Sequence, residues 1–516
     1  MLLADNKNAA ADELIAKLRN GKITSHEMFE REKIHVAKKY GIGDVIRNAD
    51  LISRLDKNDG LVQFLRTKPV RTLSGVANIA VMWLDNLLVG GKPYSCPFEC
   101  VYCPQGSNAP KSYIGVEPTT LRAIRNNYDP YLQITNRLRQ LHAIGHATDK
   151  CELIVMGGTF MAWRKEKRDA FIKRCYEAFN GKEASAMEEA QRANETAASR
   201  VIGLTIETRA DYCRDYHIKE MLGYGATRVE IGVQSTDEEL LKITKRGHTA
   251  AENMRAFKLL KDAGLKVTAH WMPGLTGLHG AIDTEKEIAM FKELFDNAAY
   301  RPDELKIYPV LVIPGTELYN LWKQGRYAPL TSEQAIDLLI ELKKNVPRYV
   351  RIKRVSRDIS EKAVESGAKT TNIRQLAHEK MDKLGLRCLC IRCREVGTQQ
   401  AANVQLTSIE YEASGGKEIF LSFTGNVLVA FLRLRIDASD TAKIRELHVY
   451  GRMVPISTHG GYQHMGLGKR LMEEAERIAR EHGKEKITVT SGVGAREYYR
   501  KLGYTLNGFY MEKNLQ

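Results

Sequence analysis

The spacing of apolar residues changes character twice along the chain, and those changes divide it before any motif is considered. Residues 1–75 carry helical spacing: Ala10 to Asn20 reads as one short helix closed by a Gly-Lys turn. Thr24-Ser25-His26-Glu27 then offers an N-cap with acid in the first turn of the next. From about Gly75 to Leu386, short β-branched runs alternate with charged amphipathic stretches. The runs are Glu152 to Met156, Val201 to Ile206, Thr227 to Val233, Lys266 to His270 and Leu305 to Ile313. That alternation predicts parallel strands with crossover helices, a barrel or part of one, whose working residues sit at the C-terminal strand ends. Glu183 to Ser199, rich in Ala and Glu, reads as a surface helix.

Past Arg394 the pattern becomes antiparallel: Ser408 to Ala413, Ile419 to Thr424, Val427 to Arg435 and Lys443 to Pro455. A helix, a strand, a second helix and a final strand follow. The expected domains are therefore a helical module at 1–75, a barrel at 76–386, a cysteine-rich linker at 387–396 and an α+β domain at 397–516. Asp85 interrupts the apolar stretch from Val76 to Val89, and no segment reaches the roughly 18 to 20 apolar residues of a membrane span. The N-terminus builds no secretory signal core, so a cytoplasmic location is expected.

Charge adds a partner. Lys plus Arg is 78 against 63 acids, a net +15. The excess is concentrated between Lys343 and Arg374, with ten basic residues against three acids, and is milder in residues 1–75, with fourteen against ten. Two basic regions flanking a core predict contacts with an RNA backbone.

The nine cysteines fall into two tight clusters and a scattered remainder, Cys151, Cys175 and Cys213, which read as buried apolar residues. Cys96, Cys100 and Cys103 form C-x3-C-x2-C with an aromatic before the last. Three thiolates on one loop can hold three irons of a [4Fe-4S] cluster and leave the fourth open. A zinc knuckle would want four ligands, usually paired two by two. The spacing resembles the radical S-adenosylmethionine (SAM) superfamily, in which the open iron chelates SAM and its reductive cleavage yields a 5′-deoxyadenosyl radical. Polar residues at the ends of the following strands suit that cofactor. Gly157 and Gly158 let backbone carbonyls approach, Glu207 and Gln234 supply polar contacts, and His270, Lys306 and Tyr308 close the series as candidate catalytic groups.

Near the C-terminus, Gln463-His-Met465-Gly466-Leu467-Gly468-Lys469 precedes an amphipathic helix, Lys469 to His482. Free backbone NH groups at such a helix start suit a pyrophosphate. The run resembles the GNAT acetyltransferase signature. That resemblance implies acetyl-CoA contacts from Gln463, Met465, Gly466, Leu467, Gly468 and Lys469, and from Glu446, His448 and Val449 on the preceding strand. A tyrosine on the last helix, Tyr499 in preference to Tyr498, can protonate a departing thiolate or pack on the coenzyme.

Together the halves, with runs such as Met156-Gly-Gly-Thr-Phe-Met161, Glu207-Thr-Arg-Ala-Asp-Tyr212, Arg445-Glu-Leu-His-Val-Tyr-Gly451 and Ser491-Gly-Val-Gly494, resemble the Elongator catalytic-subunit family over nearly the whole chain. The resemblance implies an α/β protein: a partial TIM-type (β/α)6 radical SAM barrel, fused to a GNAT α+β domain and preceded by a small basic helical module. It implies an enzyme that carboxymethylates carbon 5 of the wobble uridine in a tRNA anticodon stem-loop with acetyl-CoA as carbon source. A separate electron donor is needed, and a homodimer is compatible. Cys388, Cys390 and Cys393 form C-x-C-x2-C, one ligand short of a zinc site. Relatives complete it with a histidine, for which His142 is the first candidate and His146 the second. The competing readings are a protein-lysine acetyltransferase with a structural iron-sulfur cluster, and a tRNA-binding scaffold without turnover.

Overall fold

The computed structural model describes residues 2–56, 59–68, 72, 74–85, 88–89, 92–450 and 466–515. Helices Leu2–Arg19, His26–Lys39, Asn48–Ile52 and Gly60–Leu65 form the N-terminal module. The module has its own small core, with Leu14, Phe29, Val36, Leu51 and Leu65 fully buried. Ser25 caps the second helix by accepting from the Met28 NH at 3.2 Å, as the Ser-His-Glu run predicts.

Seven parallel strands follow in chain order across one sheet: β1 (Ala77–Met82), β2 (Lys150–Met156), β3 (Arg200–Thr208), β4 (Arg228–Gln234), β5 (Lys266–Trp271), β6 (Glu304–Ile307) and β7 (Arg351–Val355). Alternation along each strand divides its residues. Leu153, Val155, Leu204, Ile206, Val229, Ile231, Val267, Leu305 and Ile307 are buried apolar positions. The alternate residues are polar and meet one another across the sheet: Lys353 on β7 lies 3.8 Å from Glu152 on β2, and Lys306 on β6 lies 3.4 Å from Glu207 on β3. Contacts between strands so far apart in the order require the sheet to curl into a partial barrel.

A seventh strand goes beyond the expected (β/α)6 pattern. The run Arg-Ile-Lys-Arg-Val looks like surface because four of its neighbours are basic, yet β7 pairs with β6. The basic stretch 343–374 is correspondingly not all available to RNA. Lys343 is fully buried and Arg351 is ion-paired with Glu395 at 2.7 Å. The Ala/Glu-rich segment is also less superficial than expected: its helix, Met187–Asn194, buries Ala190, Gln191 and Asn194.

The second sheet runs β8 (Gln405–Ala413), β9 (Gly416–Thr424), β10 (Leu428–Ile436), β11 (Thr441–Val449), β12 (Lys486–Val489), β13 (Thr505–Asn507) and β14 (Tyr510–Asn514), with β14 seated between β12 and β13. The expected final strand is thus a hairpin. β11 and β12 are parallel and paired only from Thr441 to Ile444. Beyond that point β12 ends while β11 continues to Val449, and the helix Leu467–Glu481 buries Leu471, Met472, Ala475 and Ala479 against the sheet.

This domain docks on the N-terminal ends of the barrel strands. Arg445 reaches the Leu265 carbonyl (2.9 Å) just before β5 and Asp303 just before β6 (2.6 Å); Lys266, the first residue of β5, donates to Glu446 at 3.1 Å. A Cβ on Gly492 would lie 2.1 Å from the Ile202 carbonyl oxygen at the start of β3, so glycine is what permits this approach.

Candidate functional site

The C-terminal strand ends gather the first site. Cys96, Cys100 and Cys103 leave the loop after β1 and line a cavity of about 150 Å³ together with Gly158, Glu207, Gln234, His270 and Tyr308. The loop is anchored locally: Cys96 Sγ is 3.2 Å from Thr159 Oγ1, and Arg246 Nη1 is 3.5 Å from Cys100 Sγ. Burial opposes ionisation of the Cys100 thiol, but Arg246 outweighs it and holds the group below the usual thiol range. Cys103 has no such partner, and burial with the neighbouring thiolates pushes it up to about 12. The three sulfurs are not among the described groups whose ligand atoms all lie within 4.8 Å of one another. That spread suits a multi-iron cluster better than one ion. Three buried polar atoms around the cavity, Thr208 Oγ1, Arg209 Nη1 and Arg246 Nε, have no hydrogen-bond partner among the described residues. Such unmet groups fit a polar, negatively charged guest.

Gly157 has φ +123°, and a Cβ there would meet the Trp83 carbonyl oxygen at 2.8 Å, so this turn requires glycine. Gln234 adopts φ +68°, an uncommon conformation for a side-chain-bearing residue, at the tip of β4. Lys306 donates to Glu230 and lies 3.4 Å from Glu207. Glu230 also faces His270 Nε2 at 3.2 Å, and Tyr113 donates to Glu207 at 3.2 Å. Burial works against both charges of the central pair, yet each stabilises the other. Lys306 is held above the ordinary amine range and Glu230 well below the carboxylate range. Glu207, Glu230 and His270 are close enough to hold a cation, but the Lys306 ammonium already sits among them. The His270 and Tyr308 rings meet edge to face at 5.5 Å.

The second site lies along the end of β11, Glu446 to Val449, where β12 no longer accompanies it. Glu446 is held by Lys266 and by Arg433 at 2.9 Å. His448 packs between Phe431 (5.8 Å) and Tyr450 (4.3 Å), with its Nε2 buried and without a hydrogen-bond partner among the described residues. Burial draws its imidazole down to about 4, so the ring is neutral at pH 7. Gly466, Leu467, Gly468 and Lys469 open the adjoining helix, while Gln463 and Met465 lie outside the described residues. A Cβ on Gly468 would meet the Tyr498 hydroxyl at 2.8 Å and Val449 Cγ2 at 3.5 Å. Tyr498 therefore points at the helix start and is partly exposed, whereas Tyr499 is buried with its ring against Tyr504 at 6.1 Å.

The third group is Cys388, Cys390 and Cys393, whose sulfurs all lie within 4.8 Å of one another. The expected histidine partners are elsewhere. His142 Nε2 is 2.6 Å from Thr148 Oγ1, and the buried His146 is held by Thr72 at 2.8 Å and the Thr67 carbonyl at 3.0 Å. The histidine that the fold brings to the cysteines is His378, with Nε2 3.6 Å from Cys393 Sγ and beside Lys343. It lies on the helix Ile373–Lys383, which packs against the helix carrying Lys343, a tertiary contact with no local signature.

Four family models match in the same order as these parts: ELP3 N-terminal domain over residues 7–73, Radical SAM superfamily over 93–289, Radical_SAM C-terminal domain over 302–383 and Acetyltransferase (GNAT) family over 391–504. The tRNA uridine(34) acetyltransferase of Methanocaldococcus infernus is 45% identical over 537 residues, covering 98% of each chain. This chain belongs to the Elongator complex protein 3 (Elp3) family. The Elongator complex protein 3 of Drosophila melanogaster is 45% identical over 520 residues, covering 94% of this chain and 92% of its own. Among solved structures, the archaeal M. infernus Elp3 with an N-terminal deletion (1–46) superposes with a TM-score of 0.75, covering 86% of this chain and all of that one. Arg246, Arg209 and Glu230 belong beside the sequence-predicted residues of the Elp3 cavity. Arg246 could have been suspected from the Arg-Gly-His run after Thr244, and Glu230 from its place between Val229 and Ile231 on β4.

Proposed function

We propose that the protein is a tRNA-modifying enzyme that builds 5-carboxymethyluridine at the wobble position from acetyl-CoA and SAM. The observation that carries this reading is the docking of an acetyltransferase-family domain onto one end of a barrel whose other end holds the cysteine loop. An acetyltransferase acting on lysine has no use for the cysteine-loop cavity, and a scaffold has no use for either site.

A [4Fe-4S] cluster on Cys96, Cys100 and Cys103 would supply the electron that cleaves SAM to a 5′-deoxyadenosyl radical. The chain's own residues do the rest of the positioning. The turn at Gly157 and Gly158 leaves backbone groups open to the methionine end of SAM, Glu207 and Gln234 face its nucleoside end, and Arg246 steadies the Cys100 thiolate. Lys306, clamped by Glu230, presents a fixed positive charge beside the reacting base, with Tyr308 and His270 flanking it. Arg354 and Arg357 at the cavity mouth face the RNA backbone.

Carbon 5 of uracil is a poor nucleophile towards an acyl group. A carbon radical formed when the acetyl methyl gives a hydrogen atom to the 5′-deoxyadenosyl radical avoids that obstacle by adding to the C5–C6 double bond. The resulting C6-centred radical then gives up one electron, which returns to the oxidised cluster, and the C5 hydrogen leaves as a proton. Thioester hydrolysis yields the carboxymethyl group. Glu446, His448 and Gly466–Gly468 would hold the coenzyme, with the Tyr498 hydroxyl near its thiol end. A zinc ion on Cys388, Cys390, Cys393 and His378 would pin the linker between the domains, with no part in the chemistry.

The test is an anaerobic assay of reconstituted protein with SAM, acetyl-CoA, a reductant and tRNA, read by nucleoside mass spectrometry. Carboxymethyluridine is expected; acetyl-lysine without it would replace this reading with the protein-acetyltransferase one.

A further inference from the structure

A groove of about 620 Å³ opens on the outside of the barrel rim, beside the cysteine-loop cavity. Its walls are the chain just past β1, at Leu84 and Asp85, and the first turns of the helices Pro130–Ala143 and Lys165–Asn180, which precede and follow β2. Both helices begin at the C-terminal ends of the strands, so the groove and the cavity share one rim. They also share a wall: Gly158 and Thr159 line the cavity, and Trp163, one short turn further on, lines the groove.

The groove has an aromatic floor under a cationic edge. Trp163 is fixed from below, its ring stacked on that of the buried Trp83 at 4.7 Å and its Nε1 donating to Asp85 at 2.6 Å. Leu84 and Phe171 extend the apolar surface. Lys167, Lys173 and Arg174 keep between 31 and 39% of their side chains exposed, whereas the acids they pair with, Asp85 and Glu177, are only 3% exposed. Those acids are spent beneath the surface, and the cations face the solvent. Of the acids lining the groove only Glu183, beside Arg174, stands out at the edge.

The opposite lip is a strained turn. Asn127 and Tyr128 have φ values of +50° and +58°, a conformation that a bulky aromatic residue rarely takes. The turn sets Tyr128 against the groove, where its hydroxyl donates to the Asn108 carbonyl at 2.7 Å, in the segment between Cys103 and the cavity-lining Lys111. Strain of this kind persists where the placement of a side chain serves a function.

A fixed aromatic floor, solvent-facing cations and a volume in the range of small-ligand sites match a nucleotide, base against ring and phosphate against cation. We propose that this groove is a second nucleotide subsite. It takes an unpaired nucleotide of the RNA loop other than the one that enters the cysteine-loop cavity, with the base against Trp163 and Tyr128 and the phosphate at Lys167 and Arg174. The proposal rests on the RNA-substrate reading above. One nucleotide in the cavity and another in the groove hold the loop at two points, so the base that fits the groove helps to decide which RNAs are accepted.

The experiment uses the full-length protein and anticodon stem-loops that each carry a single 4-thiouridine, walked through the loop, with crosslinked peptides identified by mass spectrometry. One position other than the wobble nucleotide should crosslink within residues 128–131 or 163–174, and unlabelled stem-loop should remove that product. Tyr128→Ala should weaken stem-loop binding by about fivefold or more, the lower end of what a base stacked on an aromatic ring is worth. Arg174→Gln, which leaves Glu177 paired with Lys173, should lower the slope of log Kd against log salt by about 1. Crosslinks confined to the cavity and residues 351–357, or wild-type affinity and slope in both folded variants, overturn the subsite and leave the RNA reading standing. Stem-loops that neither bind nor crosslink anywhere overturn the RNA reading, and the subsite with it. 8-Azido-AMP probes the other source of the same chemistry: label in the groove that saturating stem-loop fails to displace assigns it to a free nucleotide and overturns the RNA subsite. If Tyr128→Ala does not fold, the wild-type crosslinks decide.

Discussion

Glu230 carries more of the upper site than its place in the sequence announces. It is 1% exposed and meets Lys306, His270 and Arg228. Replacing it by Gln leaves Lys306 with the 3.4 Å contact to Glu207 as its remaining ion pair. Breaking a buried pair in this way costs about 3–5 kcal/mol. Glu230→Gln should therefore lower the urea midpoint and suppress 5′-deoxyadenosine formation; an unchanged midpoint would show that the charge is not needed to hold Lys306. The buried histidines set a pH dependence. Burial draws His248 and His448 from 6.5 to about 4 in the folded protein. Between those values the unfolded chain binds more protons, so stability rises with pH there. It is fully present above pH 6.5 and declines as the pH falls towards 4. Thermal melts from pH 7.5 to 4.5 should show that decline, with a shallower slope in His448→Gln; parallel slopes would remove His448 from the account. At this scale the cysteine loop could be read from the sequence, because its three cysteines sit within eight residues. His378 was not, because its nearness to Cys393 exists only after two helices have packed.

Among the elements, the helix Arg496–Arg500 shows how strongly the barrel governs the second site. Glu195 accepts from Arg496 at 3.1 Å and from Arg500 at 2.6 Å, gripping both ends of the helix that bears Tyr498 and Tyr499. The preceding turn is pressed onto β3, where a Cβ on Gly494 would lie 2.5 Å from that of Arg200 and one on Gly492 would clash with Ile202. Gly492→Ala must push the turn off the barrel, an overpacking that costs about 1–3 kcal/mol. It should slow acetyl-CoA hydrolysis by moving Tyr498 away from Gly468, with SAM cleavage preserved. Loss of both together would instead indicate general unfolding. The run Ser491-Gly-Val-Gly494 was visible as a motif, yet nothing local says that its glycines serve contact with another domain. The strand β7 escaped notice for a related reason. Periodicity finds strands by their apolar face, and Arg351 and Lys353 spend the polar face of β7 on buried ion pairs.

The whole molecule contains a charge cluster that neither half could tolerate alone. Lys261, Asp303, Glu418, Arg435 and Arg445 are at most 1% exposed at the domain boundary. Asp303 receives Arg445 at 2.6 Å, Glu418 receives Arg445 at 2.6 Å and Arg435 at 3.1 Å, and Arg435 reaches Asp262 at 2.5 Å. The barrel supplies Lys261, Asp262 and Asp303, and the C-terminal domain supplies Glu418, Arg435 and Arg445. Separating the domains would strip partners from both sides, whereas one apolar core already runs through both. The barrel and the acetyltransferase domain should therefore melt as one calorimetric transition. The N-terminal module, with its own core, is free to melt separately. Asp303→Asn removes the charge that faces Arg445 and Lys261, and should lower the main transition and split it in two. A single transition shifted by less than about 1 °C would mean that the cluster does not couple the domains. The same logic predicts that residues 397–516 expressed alone will not form a stable fold, because Arg435 and Arg445 would lose their barrel carboxylates while remaining in an apolar surface. A soluble, cooperative melt of that fragment would show that docking on the barrel is not needed for this domain to fold.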